Sequence, residues 1–188
     1  IIDAGDLPRN KPSTVVDLSE PDISILRQGD INFSNESKIF VSKTSESTKK
    51  IAKQIFKRNI NAKNKPLVFI IEGEMGVGKT VFVKGIGEEL GINNIISPTF
   101  VIYYEYEIRA THELPLQYLY HFDLYQIDDK NEFNNLGLEK ILKPGNILCF
   151  EWGEKAGEIL DLLKGKSDIV YVRMKYINEK EREIIINN

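Results

Sequence analysis

The chain has 188 residues, of which 41% are hydrophobic, so it is long enough for one well-buried domain and too short for two of ordinary size. Its 25 Lys and Arg and 28 Asp and Glu give a net charge of -3, which argues against a basic nucleic-acid binder. The single cysteine, Cys149, lies in an apolar run, so neither a disulfide framework nor a cysteine-based zinc site is expected.

The N-terminal part of the chain differs in pattern from the rest. Residues 1–37 carry prolines, scattered Asp and Ser and no sustained hydrophobic period, so we expect an irregular extension there and one domain over 38–188. From Lys38 the pattern becomes regular, and Ile39 to Val41 indicates a short strand. The side chains of Thr44 to Ser47 supply N-cap oxygens for a helix that is expected to end near Asn59.

A glycine-rich loop lies between a predicted strand and a predicted helix. Leu67 to Ile71 is a β-branched and aromatic run, typical of a central strand covered on both faces. Gly73 to Thr80 then matches G-x-x-x-x-G-K-[ST] in full, and Gly91 is placed to close the following helix. This order predicts the α/β class, as a single P-loop NTPase-like three-layer domain with a mostly parallel central sheet plus antiparallel strands.

The second half of the chain predicts further alternating strands and helices. We expect an antiparallel pair of strands at Phe100–Tyr106 and Leu119–Leu124. We expect a helix at Glu132–Leu142, a buried strand at Ile147–Phe150 and a second helix at Glu154–Leu163. Two closing strands are expected at Asp168–Met174 and Arg182–Ile186.

The glycine loop has the chemistry of a phosphate site. Successive backbone N–H groups must surround a phosphate, which side chains at Gly76 and Gly78 would obstruct. Lys79 is expected to reach the β- and γ-phosphates and the Thr80 hydroxyl to bind Mg²⁺. The loop part of the predicted nucleotide site is Glu74, Met75, Gly76, Val77, Gly78, Lys79, Thr80 and Val81.

ATP is the favoured nucleotide. A guanine-specific site would need Asn-Lys-x-Asp after the loop, whereas Asn64-Lys65 precedes it and is followed by Pro66-Leu67. The predicted cofactors are therefore ATP and Mg²⁺.

Two later acids are candidates for the rest of the site. Ile147 to Glu151 is an apolar strand ending in a carboxylate, the Walker-B arrangement that delivers an acid to Mg²⁺, although such strands also arise by chance. His121 and Asp123 face the same side of a predicted strand, and Asp123 is a candidate to orient or deprotonate an attacking water. For His121 we favour a core histidine over a chemical role.

Four motifs together resemble a known family. They are Gly73–Thr80, Ser97–Phe100, His121–Tyr125 and Glu151–Glu154. Their order and spacing are similar to those of the bacterial TsaE (YjeE) family, ATPases of tRNA threonylcarbamoyladenosine biosynthesis, and the resemblance covers about 38–186.

The resemblance assigns roles to single residues. It implies that Thr80 and Glu151 bind Mg²⁺, and that Thr99, in a switch-like loop, contacts phosphate, metal or attacking water. It also implies a functional role for Asp123 and a place at the nucleotide site for Trp152, which would otherwise be only a large core aromatic. The resulting catalytic set is Lys79, Thr99 and Asp123.

Two features depart from the family pattern. Gln126 stands where the family usually has arginine, which removes a fixed positive charge. Residues 1–37 have no counterpart in the resemblance.

The implied function is an accessory ATPase, slow on its own. It would bind and reset the complex of TsaD- and TsaB-type partners that transfers threonylcarbamoyl to adenosine-37 of tRNA, meeting tRNA only indirectly. A small-molecule or nucleoside kinase is the first alternative, but the chain's six arginines form no lid-like cluster: Arg9, Arg27, Arg58, Arg109, Arg173 and Arg182. A module that binds nucleotide without hydrolysing it is the second.

The sequence also bears on location. No stretch approaches the roughly 18 apolar residues that span a bilayer, and no signal-like segment opens the chain, so we expect a cytoplasmic protein without a membrane partner. Because the chain begins with Ile1, a trimmed targeting peptide stays an open alternative. The lysines between Lys49 and Lys65 are interpreted as a solvated helix face rather than an RNA-binding patch.

Overall fold

The computed structural model describes residues 15–17, 24–27, 37–60, 64–98, 101–108, 117–127 and 137–187. The chain divides into two compact units, one of Lys38–Ile186 and one of Ile1–Ser37 with Asn187–Asn188. In the smaller unit, β1 (Val15–Asp17) and β2 (Ser24–Arg27) pair antiparallel. The extension that we expected to be irregular therefore contains two short strands. Their apolar pairs, Val15-Val16 and Ile25-Leu26, are too short to produce a recognisable period.

Most of the described strands belong to one sheet. They are β3 (Lys38–Ser42), β4 (Leu67–Gly73), β5 (Tyr103–Ile108), β6 (Gln117–Asp123), β7 (Ile147–Glu151), β8 (Asp168–Tyr176) and β9 (Arg182–Asn187). Within the described residues they form a seven-stranded sheet in the order β3-β9-β8-β4-β7-β6-β5. The four central strands β8, β4, β7 and β6 are parallel, whereas β5 pairs antiparallel with β6 and β3 with β9. The predicted mostly parallel sheet with added antiparallel strands is confirmed.

The described helices are α1 (Ser45–Asn59), α2 (Lys79–Glu89), α3 (Leu138–Ile141) and α4 (Gly157–Leu163). Two of the predicted capping signals are used, one at the start of α1 and one at the end of α2. Thr44 caps α1 in a reciprocal box with Ser47, and Gly91 adopts a positive φ of 79° just after α2, both as expected. Across the residues that can be described, no helix combines the length and apolarity needed to cross a membrane.

Three predicted elements differ from those observed. The strand expected from Phe100 begins at Tyr103, because the Val101 N–H bonds back to the Pro98 carbonyl in a turn. The helix expected from Glu154 is split into a 3₁₀ turn at Gly153–Lys155 and α4, since Gly153 packs tightly against β4. Of the helix expected over Glu132–Leu142, the part at 132–136 lies outside the described residues.

The two faces of the sheet are covered by different helices. Leu67, Phe69 and Ile71 of β4 pack into a cluster with α1 and α2. The alternate residues Val68 and Ile70 pack into a second cluster with Leu138, Ile159 and Leu163 of α3 and α4. Each fully buried aliphatic or aromatic side chain contributes roughly 1.5–3 kcal/mol. Burial on both faces explains why β4 is apolar at successive positions and confirms the three-layer α/β architecture.

Helix α1 lies unusually close to α2 at Gly85. A Cβ added to Gly85 would lie 2.6 Å from the Lys49 carbonyl oxygen and 2.8 Å from the Ala52 Cβ. Two ion pairs of 2.7 Å, from Lys49 and Lys53 to Glu88, join the same helices at the surface. The contact holds α2, which begins at the glycine loop, against the rest of the domain.

We predict that Gly85→Ala destabilises the fold by about 1–3 kcal/mol, because the added methyl forces α1 and α2 apart. Gly157→Ala is the matched control, since nothing lies within 4 Å of the position that its Cβ would occupy. Chemical denaturation monitored by circular dichroism measures both variants. Equal stability of Gly85→Ala and the parent chain would show that the helices separate without cost.

Candidate functional site

Parallel pairing brings the carboxyl ends of three strands to one edge of the sheet. In the register of β4, β7 and β6, Glu151 lies beside Ile71 on one side and beside Asp123 on the other. The glycine loop leaves β4 at the same edge and leads into α2 at Lys79. Ligands of open α/β sheets bind at this edge, outside the carboxyl ends of the strands.

The loop backbone requires glycine at several points. Gly73, Gly76 and Gly78 have φ values of 142°, 77° and 112°, in the region that other residues rarely adopt. At Gly73 space is also limiting, because an added Cβ would lie 2.4 Å from the Met174 carbonyl oxygen. The loop is thus held tightly against β8. Turns with residues at positive φ are the kind of backbone in which successive N–H groups can surround an anion.

Lys79 is almost completely buried, with 4% of its surface exposed. Its ammonium group donates to the carbonyl oxygens of Gly73 at 2.6 Å and Glu74 at 2.9 Å, and lies 3.7 Å from the centre of the Trp152 ring. Burial lowers the pKa of Lys79, and the nearby carboxylates of Glu151, Glu154 and Asp123 act in the opposite direction. A phosphate anion beside this group would favour its charged form.

Glu151, the predicted metal ligand, is held by a histidine. The Nε2–H of His121 donates to Glu151 Oε1 at 2.7 Å, and both residues are buried. His121 is therefore a core histidine, as favoured from the sequence, but it also fixes the orientation of a site carboxylate. Its Nδ1 atom has no hydrogen-bond partner among the described residues.

Asp123 lies next to Glu151 on β6 and is half-buried. Its Oδ1 accepts a hydrogen bond from the Tyr125 N–H at 3.0 Å. Burial raises the pKa of Asp123, and the charge of Glu151 adds to this effect, while the Tyr125 N–H and the charges of His121 and Lys79 oppose it. A carboxylate with a raised pKa is a better proton acceptor than an ordinary aspartate.

Trp152 has a backbone conformation that its sequence does not reveal. Its φ is 61°, a left-handed value found at no other non-glycine residue of the described part of the chain. The indole ring lies 4.9 Å from the Tyr125 ring, and Lys155 donates a hydrogen bond to the Tyr125 carbonyl oxygen. With this backbone conformation, the indole lies over the Lys79 ammonium group.

These residues surround one open cleft of about 380 Å³. It is lined by Met75, Gly76, Gly78, Lys79, Thr80, Val81, Ser97, Asp123, Tyr125, Glu151 and Trp152. Nine of these are among the predicted site residues, and the other two, Ser97 and Tyr125, belong to sequence motifs in which they were assigned no role of their own.

Two predicted site residues do not line the cleft, and a third lies outside the described residues. Val77 is fully buried in the core and its N–H bonds to the Glu74 carbonyl oxygen at 3.3 Å. Glu74 lines a neighbouring groove instead, although its carbonyl oxygen holds Lys79. Thr99 lies outside the described residues, so its predicted role stays a prediction.

The oxygen donors of the cleft fit a divalent cation only with help from a ligand. Among the residues that the structure describes, no group of three or more His, Cys, Asp or Glu side chains could hold a metal by itself. Mg²⁺ characteristically takes one or two protein oxygens and completes its shell with phosphate oxygens and water. The Thr80 hydroxyl and the Glu151 carboxylate, in one cleft with a phosphate-type loop, match that donor set.

Known proteins with similar sequences indicate one family. Residues 42–184 match the family model described as "Threonylcarbamoyl adenosine biosynthesis protein TsaE". The tRNA threonylcarbamoyladenosine biosynthesis protein TsaE of Bacillus subtilis is 37% identical over 62% of this chain, and the match spans 66% of that relative, slightly less than two thirds. The protein of the same description from Rickettsia bellii is 31% identical over 77% of this chain and 91% of its own length.

The fold also matches a solved structure. The crystal structure of YdiB from Bacillus subtilis superposes with a TM-score of 0.55 and 28% identity, covering 81% of this chain and 85% of that one. The family match extends from the end of β3 into β9 and includes the loop, both acids and Trp152. The chain therefore belongs to the TsaE family of threonylcarbamoyl adenosine biosynthesis proteins.

Proposed function

We propose that this chain binds ATP with Mg²⁺ at the glycine loop and hydrolyses it, as an accessory ATPase of the modification that places threonylcarbamoyl on adenosine-37 of tRNA. In this role it binds and resets the complex of TsaD- and TsaB-type partners. The chain itself does not make the modified base, and it meets tRNA only through its partners.

One observation carries the proposal. A buried, positively charged Lys79 shares a cleft with Glu151 and Asp123, at the mouth of a loop whose glycines adopt positive φ. A structural loop would not need a desolvated ammonium group facing two acids, because both kinds of group lose hydration energy there. Binding of a phosphate chain with a divalent cation supplies the charges that this arrangement lacks.

The side chains divide the chemistry between them. Lys79 and the loop N–H groups bind the phosphates, while Thr80 and Glu151 would hold Mg²⁺, which neutralises charge on the transferred phosphoryl group. His121 keeps the Glu151 carboxylate in place through its 2.7 Å hydrogen bond. Asp123, with its raised pKa, is suited to orient a water and accept its proton.

Slow hydrolysis by the isolated chain follows from what the cleft lacks. No arginine is among the described residues that line it. P-loop hydrolases depend on an arginine, supplied in cis or by a partner, to stabilise the transition-state charge, and its contribution is about 10³- to 10⁵-fold. We infer that a partner supplies this charge, so that hydrolysis is coupled to docking.

The deciding experiment is co-purification with the partner proteins, with and without ATP, combined with single-turnover measurement of phosphate release. Nucleotide-dependent association with stimulated release supports the proposal. Docking without any phosphate release would favour a non-hydrolysing module. ATP consumption that strictly requires a small acceptor would favour a kinase.

Lys79→Ala is expected to reduce kcat for ATP hydrolysis by about 10²- to 10³-fold, the loss typical of removing one aimed donor from a transition-state site. Lys84→Ala, on the same helix but outside the cleft, is the matched control and should keep the parent rate. Phosphate release measured under saturating Mg-ATP tests both. Parent-like hydrolysis by the Lys79 variant would remove this lysine from the site.

Asp123→Asn is expected to reduce stimulated hydrolysis by about 10²- to 10⁴-fold, because it removes the proton acceptor. The raised pKa of Asp123 means that the parent rate falls as pH drops through a range above that of an ordinary aspartate, and the variant should lack this acidic limb. Rate against pH, with Asp168→Asn as the exposed control, measures the effect.

The raised pKa of Asp123 also affects the stability of the fold. Since the folded-state pKa of Asp123 is raised, its contribution to stability is present below the unfolded pKa and is lost as pH rises through the folded pKa. At neutral pH the charged aspartate therefore costs stability. Asp123→Asn should unfold at a higher temperature than the parent at pH 7 and at the same temperature in acid. A lower unfolding temperature for the variant at pH 7 would contradict this.

A further inference from the structure

The segment that joins α2 to β5 contributes Ser97 to the acid-lined cleft. We call residues 92–102 the connecting segment, of which the structure describes 92–98 and 101–102. These described residues form neither a helix nor a strand, so no internal ladder of hydrogen bonds fixes their position. Contacts with neighbouring elements therefore decide where Ser97 lies.

The start of the connecting segment is packed onto α2. The side chain of Ile95 is buried, and a Cβ built on Gly87 would lie 2.1 Å from its Cδ1 and 3.0 Å from its Cγ1. The lack of a side chain at Gly87 therefore leaves the space that Ile95 occupies. The Ile92 N–H also donates to the Gly87 carbonyl oxygen at 2.8 Å.

A tyrosine hydroxyl holds the next residue of the segment. The Ile96 N–H donates to the Tyr106 hydroxyl oxygen at 3.1 Å. Tyr106 lies on β5, and its ring packs against the buried cluster that contains α1 and α2. Burial raises the pKa of Tyr106, so the hydroxyl keeps its proton at neutral pH and accepts the bond as a neutral group. A residue of the sheet thus holds the backbone immediately before Ser97.

The other end of the connecting segment is bonded to the site itself. The Asp123 N–H donates to the Ile102 carbonyl oxygen at 3.1 Å. Tyr106 and Asp123 belong to β5 and β6, which pair with each other, so both hydrogen bonds lead to the same part of the sheet. The stretch between them includes Ser97, and the two bonds together restrict where it can lie.

The hydroxyl of Tyr106 contributes less to the fold than its ring does. The ring supplies the contact with the buried cluster, and it stays in place when only the oxygen is removed. Ile96 is 52% exposed and its bond to the hydroxyl lies at the surface, so the N–H can bond to water instead. Loss of the hydroxyl therefore frees the backbone before Ser97 without leaving a buried donor unpaired.

We propose that Tyr106 is a positioning residue for ATP hydrolysis, an assignment that rests on the proposed function. Its hydroxyl acts through the Ile96 N–H and holds Ser97 at the cleft, although Tyr106 does not itself line the cleft. A segment that is already held in place loses less conformational freedom when the reacting complex assembles. Because Lys79 and the glycine loop carry ATP binding, this restraint acts on the hydrolysis step.

Tyr106→Phe, which removes only the hydroxyl, is the test. In the presence of saturating TsaD- and TsaB-type partners, kcat for Mg-ATP hydrolysis should fall about 3- to 10-fold, the effect of one neutral hydrogen bond. KM, and the Kd for Mg-ATP measured by calorimetry, should stay within about twofold of the parent values. Hydrogen exchange followed by mass spectrometry should be faster in residues 92–102 and unchanged in α2 and β6.

Two further variants separate this role from a general effect on the fold. Tyr104→Phe is the matched control, because it removes a hydroxyl from the same face of β5, on a ring 6.3 Å from that of Tyr106. It should keep the parent kcat. Gly87→Ala displaces Ile95 and frees the same end of the segment through a different contact, so it should also lower kcat at unchanged Kd. Thermal unfolding is measured for each variant.

A parent-like kcat for Tyr106→Phe would overturn the inference and leave the proposed function standing. An equal loss in Tyr104→Phe would also overturn it, as would a raised Kd for Mg-ATP with kcat unchanged, because the hydroxyl would then support the fold or the binding of ATP. A parent chain that hydrolyses no ATP with its partners would overturn the proposed function, and this assignment with it.

Discussion

The site depends on the burial of one positive charge. Lys79 keeps 4% of its surface exposed, so its ammonium group has exchanged water for two loop carbonyls and the face of an indole. These partners only partly replace hydration, so burial lowers the pKa of Lys79. The neighbouring carboxylates oppose that shift, and the charge of Glu151 raises the pKa of Asp123. The charges in the cleft are therefore not fully compensated by one another, and the cleft is suited to a ligand that brings both anionic oxygens and a cation.

Parallel strand pairing makes this arrangement possible. Asp123 and Glu151 come from segments that are distant in the chain, and the register of β6 with β7 places them side by side. The His121–Glu151 hydrogen bond joins the same two strands inside the core. The apolar clusters on both faces hold the strands rigidly, so that small groups at the sheet edge keep their positions.

Local features could be predicted from the sequence, and features that depend on neighbouring strands could not. The glycine loop and the apolar run before it are properties of consecutive residues, which is why their positions were clear. The hydrogen bond from His121 to Glu151 could not be predicted, because it depends on which strands are neighbours in the sheet. The positive φ of Trp152 and the packing of Gly153 against β4 depend on tertiary contacts, and the latter splits a helix that local periodicity makes continuous. The hydrogen bond from the Ile96 N–H to the Tyr106 hydroxyl likewise appears only once the connecting segment is placed against β5.

The indole over Lys79 gives the molecule a built-in optical reporter. Trp152 is the chain's single tryptophan, and its ring lies 3.7 Å from the ammonium group that the phosphates would engage. Movement of that charge toward an incoming anion changes the electric field at the ring, to which indole emission responds. The tryptophan fluorescence of the protein thus originates beside the loop, and it can follow occupancy in real time without a label.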